Sequence, residues 1–224
     1  MTVLVIFDCD GVLVDSEAIS IDVERQLLSQ LGVNISTEEL IDQFVGLSVQ
    51  SMKTKLETDY QLSLPDDYLE NGQREVIRRF DRELAPVAGI AEALDHISQH
   101  RCVASSSLPE RIKHSLTLTG IIDRFEHFFS ASMVARGKPN PDLFLHAAKT
   151  LGTAPKDCIV IEDSTAGVQA AKAAGMTVFA FSGASHANNP RYRAKLDALQ
   201  PDRHFTDMTE LPKLLALHQS QRRT

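Results

Sequence analysis

The sequence predicts an α/β fold: a Rossmann-like, doubly wound parallel sheet with a small all-helical unit inserted after its first strand. Three observations carry this. Val3 to Phe7 is an unbroken apolar run, the pattern of a strand buried on both faces of a parallel sheet. From residue 86 onward, short apolar runs alternate with helical patterns of about ten residues, which implies right-handed βαβ units. Between residues 16 and 85 no strand pattern appears. The expected organisation is one discontinuous core domain, residues 1–15 and 86–224, and a helical domain, residues 16–85.

The first block is helical throughout. Ile19, Val23, Leu27 and Leu31 recur every fourth residue, one face of a helix that ends at Gly32. Ser36-Thr37-Glu38-Glu39 is a capping box that opens a second helix, to about Val45. Gly46-Leu47-Ser48 interrupts the pattern before a helix over Val49 to Leu56, and Pro65-Asp66-Asp67 starts a long charged helix through Arg74, Arg78, Arg79 and Arg82. In the second block, Ile90, Leu94 and Ile97 mark a helix and Cys102 to Ala104 a strand. Ser107-Leu108-Pro109-Glu110 reads as a further capping box, for a helix to about Thr119. His127 to Ser130 is a strand, and Asn140-Pro141 supplies an N-cap and a first-turn proline for a helix through Leu151. Cys158 to Ile161 is a strong strand, Ala166 to Ala174 a helix closed by Gly175, and Thr177 to Phe181 another strand. A short strand near His204-Phe205 and a helix over Leu211 to Leu217 finish the fold, with a frayed tail from Gln219.

Composition narrows the function classes. The 224 residues are long enough for a large domain and a small one, with 43% hydrophobic and 24% charged residues. A net charge of −7 argues against a nucleic-acid or anionic-membrane surface. The apolar start is too short, and lacks the basic flank, to be a signal peptide or a membrane anchor. Cys9, Cys102 and Cys158 lie in or beside strand-like runs without metal-type spacing, and read as buried thiols in a reducing cytoplasm.

The chemistry lies in the polar residues at the end of each apolar run. The first run ends in Asp8 and Asp10, the second in Ser105, Ser106 and Ser107, the loop after the third carries Lys138, and the fourth ends in Glu162 and Asp163. Asp-x-Asp-Gly alone could be a hairpin turn. In an open parallel sheet, however, ligands bind at the carboxyl ends of the strands, so all these residues share one edge. Four carboxylates held together repel, and a hard divalent cation relieves that. Mg²⁺ suits one or two carboxylates, a carbonyl, waters and a substrate phosphate oxygen.

These four motifs, in this order and with a helical insertion after the first, resemble the haloacid dehalogenase superfamily of hydrolases. The likeness is to its phosphatase and phosphomutase branch with a small helical cap, among the sugar-phosphate phosphatases related to β-phosphoglucomutase. The resemblance implies a Mg²⁺-dependent phosphomonoesterase. Asp8 would be the nucleophile that becomes phosphorylated, kept ionised by Mg²⁺ and Lys138. Asp10 would protonate the leaving oxygen, then deprotonate the attacking water, and bind the metal through its backbone carbonyl. Ser105 would hold a phosphoryl oxygen with Ser106 beside it, and Asp163 would complete the metal site with Asp8. Glu162 would be a further ligand or an outer partner. Asp15 would fix the hinge.

The same resemblance sorts reaction types. Asp10 speaks for phosphate esters, since dehalogenases and phosphonoacetaldehyde hydrolases lack an acid there. Lys53 and Lys55 read as solvent-facing charges rather than a Schiff-base lysine. Ser20 and Glu24 stand where the mutases carry His and Trp, which favours phosphatase over mutase. A binding protein on a retired hydrolase scaffold is the third reading, opposed by the intact set Asp8, Asp10, Lys138 and Asp163. Gly46 and Arg74, with Arg78, are candidates for reading the leaving group; a charge-rich helix can equally be a solvated face. The expected partner is a small phosphate ester, with no nucleic acid and no membrane, for a cytoplasmic monomer.

Overall fold

The strands are β1 (Leu4–Phe7), β2 (His100–Ser105), β3 (Phe128–Ser130), β4 (Cys158–Glu162), β5 (Thr177–Phe181) and β6 (Arg203–Phe205). In the computed structural model, which describes residues 3–45, 47, 49–187 and 190–221, they form one parallel sheet in the order β3-β2-β1-β4-β5-β6. Phe7 stands level with Val103 on one side and Ile161 on the other. Strand order therefore reverses about β1.

Alternation along the strands builds two cores, because successive side chains point to opposite faces. Leu4, Ile6, Cys102, Ala104 and Val160 pack with α7 (Asp142–Thr150), α8 (Thr165–Ala173) and α9 (Pro190–Ala198). Val5, Phe7, Val103, Ile159 and Ile161 pack with α5 (Ile90–His96), α6 (Pro109–Leu118) and α10 (Leu211–Gln221). A sheet so covered reads as continuous apolar runs, which is why β1 and β4 are legible.

Between β1 and β2 lie α1 (Glu17–Gln30), α2 (Thr37–Phe44), α3 (Val49–Asp59) and α4 (Tyr68–Glu83), with no strand among the described residues of this stretch. Ile19 and Val23 of α1 pack on Val76 and Phe80 of α4 as a small core of their own. The chain leaves the sheet and returns to it side by side. Asp15 N donates to Ala85 O at 2.9 Å, and Val87 N to Leu13 O at 3.1 Å.

The capping box at Ser36 and Glu39 is present in both directions. Three expectations are corrected. Leu108, not Ser107, is the N-cap of α6, and the Ser107 hydroxyl goes to Asp10 instead. Pro141 rather than Asn140 caps α7, and the Asn140 amide turns back to Gly137 O. The last helix runs to Gln221, so the described part of the tail is helical. The sequence pattern also gives no sign of α9, a polar helix with only Tyr192 and Leu196 buried.

Candidate active site

Asp8 directly follows β1, Ser105 ends β2, Glu162 ends β4 and Asp163 follows it. Because β1 lies between β2 and β4, these groups converge where strand order reverses, the usual ligand crevice of such sheets. Lys138, from the loop before α7, reaches the same point with a fully buried side chain. Its Nζ stands 2.9 Å from Asp8 Oδ1 and 2.6 Å from Glu162 Oε1. Burial alone would lower the lysine's pKa, but Asp8 and Glu162 outweigh it and hold the ammonium charged.

Glu162 is engaged through both of its carboxylate oxygens. Its second oxygen accepts from Ser164 N and Ser164 Oγ, both at 2.9 Å. Ser164 Oγ in turn caps α8 by accepting from Gly167 N at 3.0 Å. A Cβ at Gly167 would overlap the Glu162 carboxylate, so only glycine lets the helix start this close.

Asp163 is held differently. Its backbone oxygen accepts from the Tyr192 hydroxyl at 3.0 Å, and its Oδ2 lies 3.0 Å from His186 Nε2 without an aligned hydrogen bond. Gly11, at φ +78°, passes so near that a Cβ there would overlap Asp163 Oδ2. Asp8 Oδ1, ion-paired with Lys138, and Asp163 Oδ2, beside His186, are both buried without an aligned hydrogen bond among the described residues.

Asp8, Glu162 and Asp163 present oxygens within 4.8 Å of one another. Burial drives the pKa of Asp8 well up; Lys138 opposes this, and Glu162, Asp163 and Asp10 add to it. Burial and Glu162 do the same to Asp163, against Lys138. Lys138 by itself therefore does not keep Asp8 in the ordinary carboxylate range. Buried carboxylates gathered this closely, with Lys138 to offset them, make an all-oxygen donor set that a hard divalent cation fits. Asp8 and Asp163 are the residues that could hold it, with Glu162 already bound to Lys138 and Ser164.

Asp10 faces the other way, into a hydrogen-bonded cradle. Oδ1 accepts from Ser16 Oγ at 2.6 Å and from an Arg111 guanidinium nitrogen at 3.0 Å. Oδ2 accepts from Ser107 Oγ at 2.7 Å, with Ser105 Oγ at 3.4 Å. Burial would raise this carboxyl, but the Arg111 charge and the donors from Ser16 and Ser107 win, holding its pKa below the usual range. Arg111 also donates to Ser20 Oγ at 3.0 Å and lies over the Phe80 ring.

A cavity opens above these groups, lined by Asp8, Asp10, Ser105, Ser106, Ser107 and Arg111 below and by α1, α2 and α4 above. Ser105 and Ser106 thus lie where the sequence places them. Arg74 does not reach the cavity: its side chain is 68% exposed and paired with Glu70 at 2.7 Å, while its neighbours Gly72 and Gln73 line the wall. Arg78 is paired with Glu75 on the same exposed face. Gly46 and Ser48 lie outside the described residues. Lys53 and Lys55 pair with Glu57 and Asp59, as surface charges do. Asp15 accepts from Ser185 N and Oγ, tying the end of the first motif to the loop after β5.

Three residues of the site, Arg111, Ser16 and His186, are not evident from the sequence, and Ser107, which ends the second apolar run, reads there as a helix cap rather than as a donor to Asp10. Arg111 could have been noticed on the first turn of the helix that follows the Ser-Ser-Ser strand end. His186 carries no signal, because only the fold brings the loop after β5 to Asp163. The three cysteines are free and buried, and no helix among the described residues is long and apolar enough to cross a membrane.

Residues 5–181 match the model of the haloacid dehalogenase-like hydrolases. The chain is 32% identical over 212 residues to 6-phosphogluconate phosphatase of Escherichia coli K12, covering 94% of this chain and 93% of that protein. A haloacid dehalogenase-like protein of Agrobacterium tumefaciens superposes with a TM-score of 0.84 at 35% identity, covering 97% of this chain and 99% of that one. A family hydrolase of Deinococcus radiodurans, solved with bound phosphate and sodium, gives a TM-score of 0.74 at 31% identity, covering 96% and 95%. With its acids, lysine and hydroxyls gathered at the strand ends of one parallel sheet, the chain belongs to the haloacid dehalogenase-like hydrolases.

Proposed function

We propose that this hydrolase is a Mg²⁺-dependent phosphomonoesterase that acts on small phosphorylated metabolites, sugar phosphates among them. The observation that carries the reading is the convergence of Asp8, Lys138 and Asp163 on one buried point beside Asp10. The similarity to 6-phosphogluconate phosphatase supports the substrate class.

An oxygen of Asp8 attacks phosphorus, and the ester P–O bond breaks as Asp10 gives its proton to the leaving alkoxide. Water then attacks the phosphorylated Asp8. Asp10 takes a proton from that water, and the bond from phosphorus to Asp8 breaks to release phosphate. Attack by a carboxylate on a phosphate dianion needs charge neutralised more than it needs covalent help. Asp8, Asp163 and the Asp10 carbonyl would hold Mg²⁺, which would supply that neutralisation when bound. Lys138 adds its charge and keeps Glu162 in place, while Ser105 and Ser106 bind a phosphoryl oxygen. The cradle around Asp10 suits the second half-reaction, in which it must be ionised. In the first half-reaction it gives up the proton that the water of the preceding turnover left on it.

Residues 16–85 act as the cap domain over residues 1–15 and 86–224, closing the cavity against bulk water. The protein works as a cytoplasmic monomer on a freely diffusing ester. Phosphate release from p-nitrophenyl phosphate and a panel of sugar phosphates, with and without Mg²⁺, tests the reading. Release is expected to need both the cation and Asp8, and to vanish in Asp8→Asn. Release that persists without either, or interconversion of sugar phosphates with no net phosphate, would overturn it.

A further inference from the structure

Above the phosphoryl end, the cavity changes character. Its walls are apolar, with Ile21, Leu40, Phe44, Leu69 and Val76 among them. Set into these walls is Glu24, on α1, only 8% exposed. Its Oε1 accepts a 2.6 Å hydrogen bond from the hydroxyl of Tyr68, at the start of α4 and itself 5% exposed. Both residues line the cavity, and neither belongs to the set that handles the phosphoryl group.

A carboxyl buried against apolar side chains is costly to keep unless the site has a use for it. No ion pair holds Glu24 among the described residues. Burial raises its pKa, and the Tyr68 bond only partly offsets this. The charge balance of the lining is one-sided. Asp8, Asp10, Glu17 and Glu24 are acids, and Arg111 is the one base among the described lining residues. That base is committed to Asp10 and Ser20 at the phosphoryl end. The far end therefore offers a leaving group an acceptor and apolar surface, with no cation to meet a second anion.

We infer that the substrate is the phosphomonoester of a neutral, partly apolar alcohol that donates a hydroxyl hydrogen bond to Glu24, and that esters carrying a second anion are excluded. The inference rests on the phosphomonoesterase reading and narrows it. Attraction and repulsion both act. A site built to accept a hydrogen bond favours a ligand that donates one, and a carboxylate brought beside Glu24 in a low-dielectric pocket meets like charge. The enzyme would then differ in substrate from the relative named for 6-phosphogluconate.

The test compares sorbitol 6-phosphate with 6-phosphogluconate, two open-chain esters that differ only at C1, a neutral alcohol in one and a carboxylate in the other. Each is assayed as substrate and as competitive inhibitor of p-nitrophenyl phosphate hydrolysis. The wild type is expected to favour the neutral member by about ten-fold or more in kcat/KM or inhibition constant. Glu24→Gln is expected to narrow that ratio, mainly by admitting the acidic member. The wild-type ratio tests the exclusion of a second anion even if the variant does not fold. Equal or inverted preference, absent binding of both, or an unchanged ratio in a folded Glu24→Gln would overturn the inference. Should p-nitrophenyl phosphate still be hydrolysed through Asp8, only the inference falls. Loss of all ester hydrolysis overturns the phosphomonoesterase reading with it.

Discussion

Nε2 of His186 lies 3.0 Å from Oδ2 of Asp163, and the imidazole side chain is wholly buried. Neither ring nitrogen has a hydrogen-bond partner among the described residues. Burial lowers the pKa of the ring, against a weaker pull from Glu17 and Asp15, and so favours the neutral imidazole. Tyr192 packs edge-on against it, with ring centroids 5.4 Å apart, and also donates to the Asp163 backbone. Together they pack about Asp163, the ring against its carboxylate and the tyrosine hydroxyl on its backbone, at the residue that, with Asp8, could hold the cation.

Outer groups that orient a ligating carboxylate typically matter by about 10–100-fold in metal affinity. His186→Ala should therefore weaken Mg²⁺ binding by about that factor, measured by calorimetric titration of Mg²⁺ into the protein, and His186→Asn should restore part of it. An unchanged dissociation constant in a folded His186→Ala would show that the ring only fills space.

Arg111 gives a second expectation. Its guanidinium sits 3.0 Å from Asp10 Oδ1 and stacks on Phe80, with its side chain 11% exposed. Removing a preorganised charge from a catalytic site commonly costs about 100–1,000-fold in kcat. Arg111→Ala should lose activity on p-nitrophenyl phosphate on that scale, and Arg111→Lys should recover only part, because a lysine lacks the planar guanidinium that stacks on Phe80 while one of its nitrogens serves Asp10 and Ser20. Turnover near the wild-type level in Arg111→Ala would remove the residue from the mechanism.

Glu17 links stability to pH. Burial, with Asp10 adding, pushes its pKa up to about 7, while His186 pulls the other way. Between the ordinary value of 4.5 and about 7, the folded protein holds a proton on Glu17 that the unfolded chain has released. The stability this group contributes is thus full below 4.5 and is lost as pH rises through about 7. Glu17→Gln should gain stability relative to wild type across that window and hold the gain above it. Urea unfolding at a series of pH values in the presence of a chelator measures this. A difference between the two proteins that does not change with pH would contradict it.

Much of this molecule is legible along the chain. β1, β4 and β5 can be read because strands buried on both faces must be continuously apolar. Asp8, Asp10, Ser105, Lys138, Glu162 and Asp163 can be read because polar residues ending such runs have only one edge to share. These are local consequences of burial and periodicity, and local rules determine them. The role of Ser107 could not be read so. Its sequence context is that of a helix cap, yet the hydroxyl finds a stronger partner in the Asp10 carboxylate. Arg74 and Arg111 look alike as arginines on helices; packing leaves one in solvent against Glu70 and turns the other into the cavity. Glu24 with Tyr68, and Asp163 with His186, are pairs made by contacts between elements far apart in sequence. The sequence by itself determined the sheet, the inserted helices and the acids at the strand ends. Only the tertiary structure decided which neighbours those acids have, because charge, hydrogen bonding and burial act across space and leave no period in the chain.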